Sequence, residues 1–359
     1  MDNSLAKLDK ATQMLAEVKT LDEVKSIMDV AEAARVYARA AKLGIEAYNH
    51  AAEVKTRAER KAGELLSQLE RGRGGWPSPL DNMSNQESEY KEVLDDLDIG
   101  YKAASRWQQV AQMPEDQFEQ HIEDMRGERP ITTSGLIKEL KTDERLEARA
   151  KLAEAGSFVP MSEKWCVYHG DIKTWKAPRQ YDFIITDPPY PKEYLPLWVS
   201  LAQRAFEWLK PNGLLIAMSG QSYLDEIYPT LSNYLNYYWT AAYLTPGQAT
   251  SLRQKQVNSN WKPLLIFSKN GYSGKVFGDV FKSGENDKDH HKWGQSVSGM
   301  YDIVSKICLP GQYILDPFCG AGTTGIAAIK HGCLFDGLEL DIDNVNISKG
   351  RINDATKQE

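Results

Sequence analysis

The residues best suited to chemistry are Asp187-Pro188-Pro189-Tyr190. A carboxylate is followed by two prolines, whose carbonyls are free to accept hydrogen bonds, and then by an aromatic ring. Residues 183–186, Phe-Ile-Ile-Thr, are an apolar, β-branched run of the kind that forms a buried parallel strand. Proline has no N–H to offer a neighbouring strand, so the strand must stop at Pro188. The tetrapeptide therefore belongs at the C-terminal end of a strand, where open α/β sheets bind ligands. It can accept N–H bonds and stack on a flat ring. On its own it is also compatible with a plain strand end capped by Asp187.

A second stretch points to a ligand more firmly. Residues 314–324, Ile-Leu-Asp-Pro-Phe-Cys-Gly-Ala-Gly-Thr-Thr, read as a strand, a glycine-rich turn and the start of a helix that continues through 325–329. Glycines there allow a ligand to approach the backbone closely, and the first N–H groups of the helix are free. Phosphate is the usual ligand of such a turn. This one lacks both the Gly-Lys-Ser/Thr of a P-loop and the Gly-x-Gly-x-x-Gly of dinucleotide sites. A further strand at 334–339 ends in Glu339, an acid spaced to hold ribose hydroxyls.

Together these stretches resemble the S-adenosylmethionine-dependent DNA amino-methyltransferases, over roughly Trp165 to Ile352. The Asp-Pro-Pro-Tyr motif precedes the Asp-Pro-Phe-x-Gly-x-Gly motif, which is the order of the circularly permuted β class. The resemblance implies that Asp187 and the Pro188 carbonyl accept hydrogen bonds from an exocyclic amine, with Pro189 and Tyr190 completing the motif. An aryl amine is a poor nucleophile because its lone pair is delocalised into the ring. Two acceptors let the nitrogen pyramidalise and aim its lone pair at a sulfonium methyl, so catalysis is positioning plus charge complementarity. Tyr190 then stacks on a base flipped from the duplex.

For the cofactor, S-adenosylmethionine, the resemblance implies contacts from the turn (Asp316, Pro317, Phe318, Gly320, Gly322, Thr323), from Glu339 on the ribose and from Asp171 near the adenine amine. The family carries Lys-Pro near the start of the helix before the turn. Here that place is taken by His290-His291-Lys292-Trp293-Gly294-Gln295-Ser296, with Gln295 and Ser296 as replacement contacts. The two histidines have no acidic or cysteine partner at ligand spacing, and no metal is expected. Adenine-N6 is the expected target, since the motif begins with Asp rather than Ser. Cytosine-N4 uses the same chemistry and is the alternative. RNA as substrate, and a DNA-binding regulator or scaffold with an inactive core, remain further readings.

The positions of these motifs set what the rest of the chain must do. Strands at 165–169, 181–186, 214–218, 237–244 and 263–268 alternate with helices at 195–209, 222–233 and 297–308. The expected fold is α/β: a Rossmann-like, doubly wound, mostly parallel sheet with an N-terminal all-α domain. Three domains are expected, at 1–72, 73–155 and 156–359. Residues 4–72 are rich in Ala, Glu, Lys, Leu and Arg, with no proline before Pro77. They read as a helical hairpin or bundle, with Asp22 capping a second helix. A homodimer through these helices is the sharper alternative. Residues 71–79, Arg-Gly-Arg-Gly-Gly-Trp-Pro-Ser-Pro, read as a linker or loop.

A short helix at 89–97, a turn at 98–100 and a helix at 103–112 suit a helix-turn-helix that binds double-stranded DNA. Its second helix is expected to show Lys102, Ser105, Arg106, Gln108, Gln109 and Gln112, with Arg106 and Gln109 as base readers. Ordinary helix packing is the alternative. About thirty residues separate the strand at 263–268 from the helix at 297, too few for a sizeable recognition segment. The polar loop at 245–261, with Arg253 and Lys255, is a second place for DNA contact.

Composition bounds the rest. The chain has 359 residues and a net charge of −7. Residues 1–150 hold 22 Lys and Arg against 29 Asp and Glu, which accounts for the whole imbalance. DNA contact must therefore come from local basic clusters rather than a global field. The four cysteines are scattered, without Cys-x-x-Cys, so neither a disulfide framework nor zinc is indicated. No apolar run reaches membrane-spanning length and the start is not a signal peptide, so a cytoplasmic protein without membrane attachment is expected.

Overall fold

The structure, a computed structural model, describes residues 2–69, 89–245, 250–284 and 296–357. The stretch at 71–79 and residues 290–295, Gln295 among them, lie outside these. The chain divides into two compact units, 1–146 and 147–359.

The first unit is helical: α1 (Asp2–Glu17), α2 (Leu21–Ala40), α3 (Ile45–Gln68), α4 (Glu89–Asp96), α5 (Tyr101–Ala111), α6 (Glu115–Met125) and α7 (Thr133–Ser157), whose last turns belong to the second unit. Thr20, not Asp22, caps α2. The Thr20 hydroxyl accepts from the Glu23 N–H, and the Glu23 carboxylate accepts from the Thr20 N–H in return. Glutamate at the third helical position makes this reciprocal box possible, and it satisfies two backbone donors at once. Leu66 of α3 shares a buried cluster with Tyr90 and Leu94 of α4 and with Ile99 and Ala104. The division expected near residue 72 therefore does not separate two cores. The helices before and after it bury their apolar faces against each other.

The second unit is built on an eight-stranded sheet in the order β1-β10-β9-β2-β3-β7-β4-β8. The strands are β1 (Trp165–His169), β2 (Tyr181–Thr186), β3 (Leu209–Met218), β4 (Asn236–Leu244), β7 (Trp261–Ser268), β8 (Val280–Lys282), β9 (Tyr313–Asp316) and β10 (Leu334–Glu339). β5 (Thr250–Leu252) and β6 (Val257–Ser259) form a separate antiparallel hairpin. Within the eight-stranded sheet only β7 runs against the others.

Helices α8 (Leu195–Trp208) and α9 (Leu224–Ser232) cover one face of the sheet. Helices α10 (Val297–Ile307), α11 (Thr323–Lys330) and α12 (Ile342–Thr356) cover the other. Side-chain alternation produces the two layers: Phe183 and Ile185 face one, Ile184 the other. Both faces of the central strands β9, β2, β3 and β7 are covered, which is why their runs are almost continuously apolar.

Candidate active site at the strand switch point

Sheet order determines where a site can form. From β9 the chain moves to β10 on one side, and from β2 it moves to β3 on the other. β9 and β2 are paired neighbours, with Ile184 opposite Leu315. Their C-terminal ends flank the point at which connections diverge, leaving the crevice where open α/β sheets bind ligands. The 187–190 and 316–322 stretches both emerge there.

At the end of β2, Asp187 is half-buried, Pro188 buried and Pro189 half-buried. The Tyr190 hydroxyl donates to Oδ1 of Asp187. Burial, and secondarily the Asp187 charge, push the Tyr190 phenol well above its ordinary pKa, so it stays a donor. Gly220, just after β3, lies against Tyr190. The Lys262 ammonium stands over the Tyr190 ring, 5.2 Å from its centroid.

The glycine-rich turn is shaped by its interior. Asp316 is buried; it accepts from Thr186 Oγ1 at 2.7 Å, Thr324 Oγ1 at 2.6 Å and the Phe318 N–H at 3.1 Å. Burial raises its carboxyl to about 6, against the pull of those three donors. Asp316 thus ties the end of β2, the turn and the start of α11 together. Pro317 is also buried, while Phe318 and Thr323 are half-buried. Gly320 (φ 52°) and Gly322 (φ 81°) adopt left-handed backbone, but for different reasons. A Cβ on Gly322 would lie 2.8 Å from the Ser348 Cβ, so glycine lets α12 pack there. A Cβ on Gly320 would have no heavy atom of the described residues within 4 Å, so that backbone faces open space.

Glu339 ends β10. Its carboxylate accepts from the Gly320 N–H at 2.7 Å and the Asp341 N–H at 3.0 Å, holding the acid beside the turn. Asp171 follows β1, whose His169 pairs with Glu339. Its carboxylate accepts from the Lys173 N–H at 2.8 Å. Four adjacent parallel strands therefore deliver Asp171, Glu339, the turn and Asp187 to one edge. Ser296 caps α10, accepting from the Gly299 N–H at 3.0 Å.

The expected DNA contacts are distributed differently. Arg106 and Gln109 lie on α5 in the first unit, on a surface with exposed Lys102 and Ser105. Gln108 does not share that surface: it is buried and accepts from the Tyr90 hydroxyl at 3.3 Å, because its side of α5 packs inward. In the second unit, residues 250–259 of the polar loop form the β5–β6 hairpin. Arg253 is exposed on it, while Lys255 donates back to the Ser222 carbonyl at 3.0 Å. Sequence reasoning passed over Thr186, Thr324 and Lys262. Thr186 and Thr324 flank the two motifs directly, and that adjacency was the available signal.

A doubly wound sheet that brings a strand-end carboxylate and a glycine-rich turn to one edge is the architecture of a methyltransferase-type fold. Residues 181–350 match the family model described as DNA methylase. The chain is 29% identical over 181 residues to the type II methyltransferase M2.LlaDCHI of Lactococcus lactis subsp. cremoris, spanning 44% of this chain and 65% of that one. Among solved structures, M1.HpyAVI in complex with SAM is 21% identical with a TM-score of 0.45, covering 53% of this chain and 99% of that one. The cytosine-N4-specific PvuII DNA methyltransferase is 14% identical with a TM-score of 0.44, covering 55% and 93%. No helix among the described residues is long and apolar enough to cross a membrane.

Proposed function

We propose that the chain is a site-specific DNA adenine-N6 methyltransferase, working in the cytoplasm on double-stranded DNA with S-adenosylmethionine as methyl donor. The observation that carries this reading is the Asp187 carboxylate, held at the switch point and already accepting an O–H donor, beside a turn whose Gly320 backbone faces open space.

The residues present suit the cofactor. Gly320 leaves room for close approach, Phe318 offers a partly exposed ring, and Glu339 and Asp171 supply carboxylates on the same edge. Thr323 and Ser296 border it, whereas Asp316, Pro317 and Gly322 shape the turn from within. When bound, S-adenosylmethionine supplies an electrophilic methyl on a sulfonium. The chain's own part is to hold the amine. Asp187 and the Pro188 carbonyl accept its two N–H bonds, leaving the nitrogen lone pair free, and the Tyr190 ring carries the base. The Tyr190 hydroxyl must leave the Asp187 oxygen that the amine takes. Asp187 then receives a proton that has become acidic through alkylation.

DNA reading is assigned to Arg106 and Gln109 on α5, with Arg253 of the hairpin on the backbone. Pairing of two chains through the N-terminal helices is supported by exposed Met14, Val36 and Tyr37, and sedimentation of the full chain against a Val36→Glu, Tyr37→Glu variant tests it. The main test is methylome sequencing of a methylation-free host expressing the chain. N6-methyladenine at one recurring motif, lost with Asp187→Ala, is expected. N4-methylcytosine instead, or no modified base, overturns the reading.

A further inference from the structure

Lys262 is a cation without an acidic partner among the described residues. Its backbone is pinned on both sides: the Trp261 carbonyl accepts from the Gln221 side chain at 3.0 Å, and the Pro263 carbonyl from the Ser219 N–H at 3.1 Å. Both donors belong to the chain that leaves β3 at the active-site edge. On its other side Lys262 is in register with Tyr243 of β4. Its half-buried ammonium forms no ion pair among the described residues and instead stands over Tyr190.

A cation over an aromatic face is held by the ring quadrupole, which accounts for its position in the free protein. The same ring is the platform on which the target base is proposed to stack. Once the base arrives, the ammonium needs a new partner. Lysine is a donor-only, compact charge, and the anion that a flipped nucleotide brings with it is its own flanking phosphate.

We propose that Lys262 exchanges the Tyr190 ring for a phosphate flanking the target nucleotide, and so positions the flipped base without touching the reacting atoms. This rests on the methyltransferase reading above. Phosphate contacts fix register and orientation rather than sequence, so Lys262 sets capture of the nucleotide and not the choice of motif.

The test uses the full chain, S-adenosylmethionine and a duplex oligonucleotide carrying the motif found in the methylome. Lys262→Met keeps an apolar stem over the ring and removes the charge. It is expected to raise KM for DNA about tenfold, more than it lowers kcat, and to reduce the slope of log affinity against log salt by about 1. Lys262→Arg restores both. A neutral methylphosphonate beside the target adenine should weaken wild type by a similar factor and leave Lys262→Met unaffected. Equal sensitivity of the two proteins to the methylphosphonate overturns the proposal, as does a Lys262→Met variant with wild-type KM and salt slope or with a loss confined to kcat. A wild-type chain that transfers no methyl group to any duplex overturns the functional reading, and this assignment with it.

Discussion

At the scale of single residues, the functional reading depends on Asp187 facing the amine while the turn faces the cofactor. Asp187→Ala should reduce turnover by about 10²-fold or more, the range typical of losing one group that stabilises the transition state. Calorimetry should find S-adenosylmethionine binding nearly unchanged, and near-normal turnover would remove Asp187 from the chemistry. The two left-handed glycines should separate by mechanism. Alanine at Gly320 meets open space and carries only the backbone penalty of about 1–2 kcal/mol, so it should fold yet bind cofactor weakly. Alanine at Gly322 drives its Cβ against Ser348 and should lower the melting temperature more. Equal melting points for the two variants would contradict this packing.

At the scale of elements, Asp316 joins β2 to the turn and to α11, and burial holds its carboxyl near 6 rather than the usual 3.8. Between those values the folded chain keeps a proton that the unfolded chain has released. The stability associated with this group is therefore full at about pH 4 and below, and is lost as pH rises through about 6. Denaturant titrations of wild type against Asp316→Asn should show the difference shifting by on the order of 3 kcal/mol between about pH 4 and pH 7. A pH-independent difference would mean that the Thr186, Thr324 and Phe318 donors keep the carboxylate ionised. The strands on either side were legible because apolar runs end abruptly in Pro or Gly, at Pro188, Pro317 and Gly320. The tie itself was not, since it depends on the register that sets Ile184 beside Leu315. The inward side of α5 was equally hidden. Gln108 and Gln109 are the same residue type one position apart, and only packing makes one a core partner of Tyr90. If α5 reads bases, Arg106→Ala and Gln109→Ala should each lose about 1–3 kcal/mol of discrimination at one motif position, visible in methylomes as relaxed sequence logos.

At the scale of the molecule, the chain joins an acidic helical unit to a charge-balanced α/β unit, and α7 contributes to both. The place to divide them was not evident from sequence, because α7 runs unbroken through the 146/147 division and ends only at Ser157. Within the second unit, the last turns of α7 pack on α12. A Cβ at Gly156 would lie 1.8 Å from the Asn346 carbonyl oxygen, and Ala153 is buried. Arg149 pairs at 2.8 Å with Asp341, the N-cap of α12, and holds its carboxyl below the usual range. The exposed pair contributes at most about 1 kcal/mol; the close helix contact contributes more. A fragment beginning at Glu147 should therefore melt cooperatively, and about 5 °C above one beginning at Ser157, a difference of roughly 1–3 kcal/mol for a domain of this size. Both fragments should bind S-adenosylmethionine, since every proposed cofactor residue lies at or beyond Asp171. Both should methylate DNA slowly and without a sharp motif, because α5 with Arg106 and Gln109 is gone. If the Glu147 fragment modifies the same sites at the full-length rate, α5 does not read DNA, and recognition belongs to the β5–β6 hairpin and its exposed Arg253.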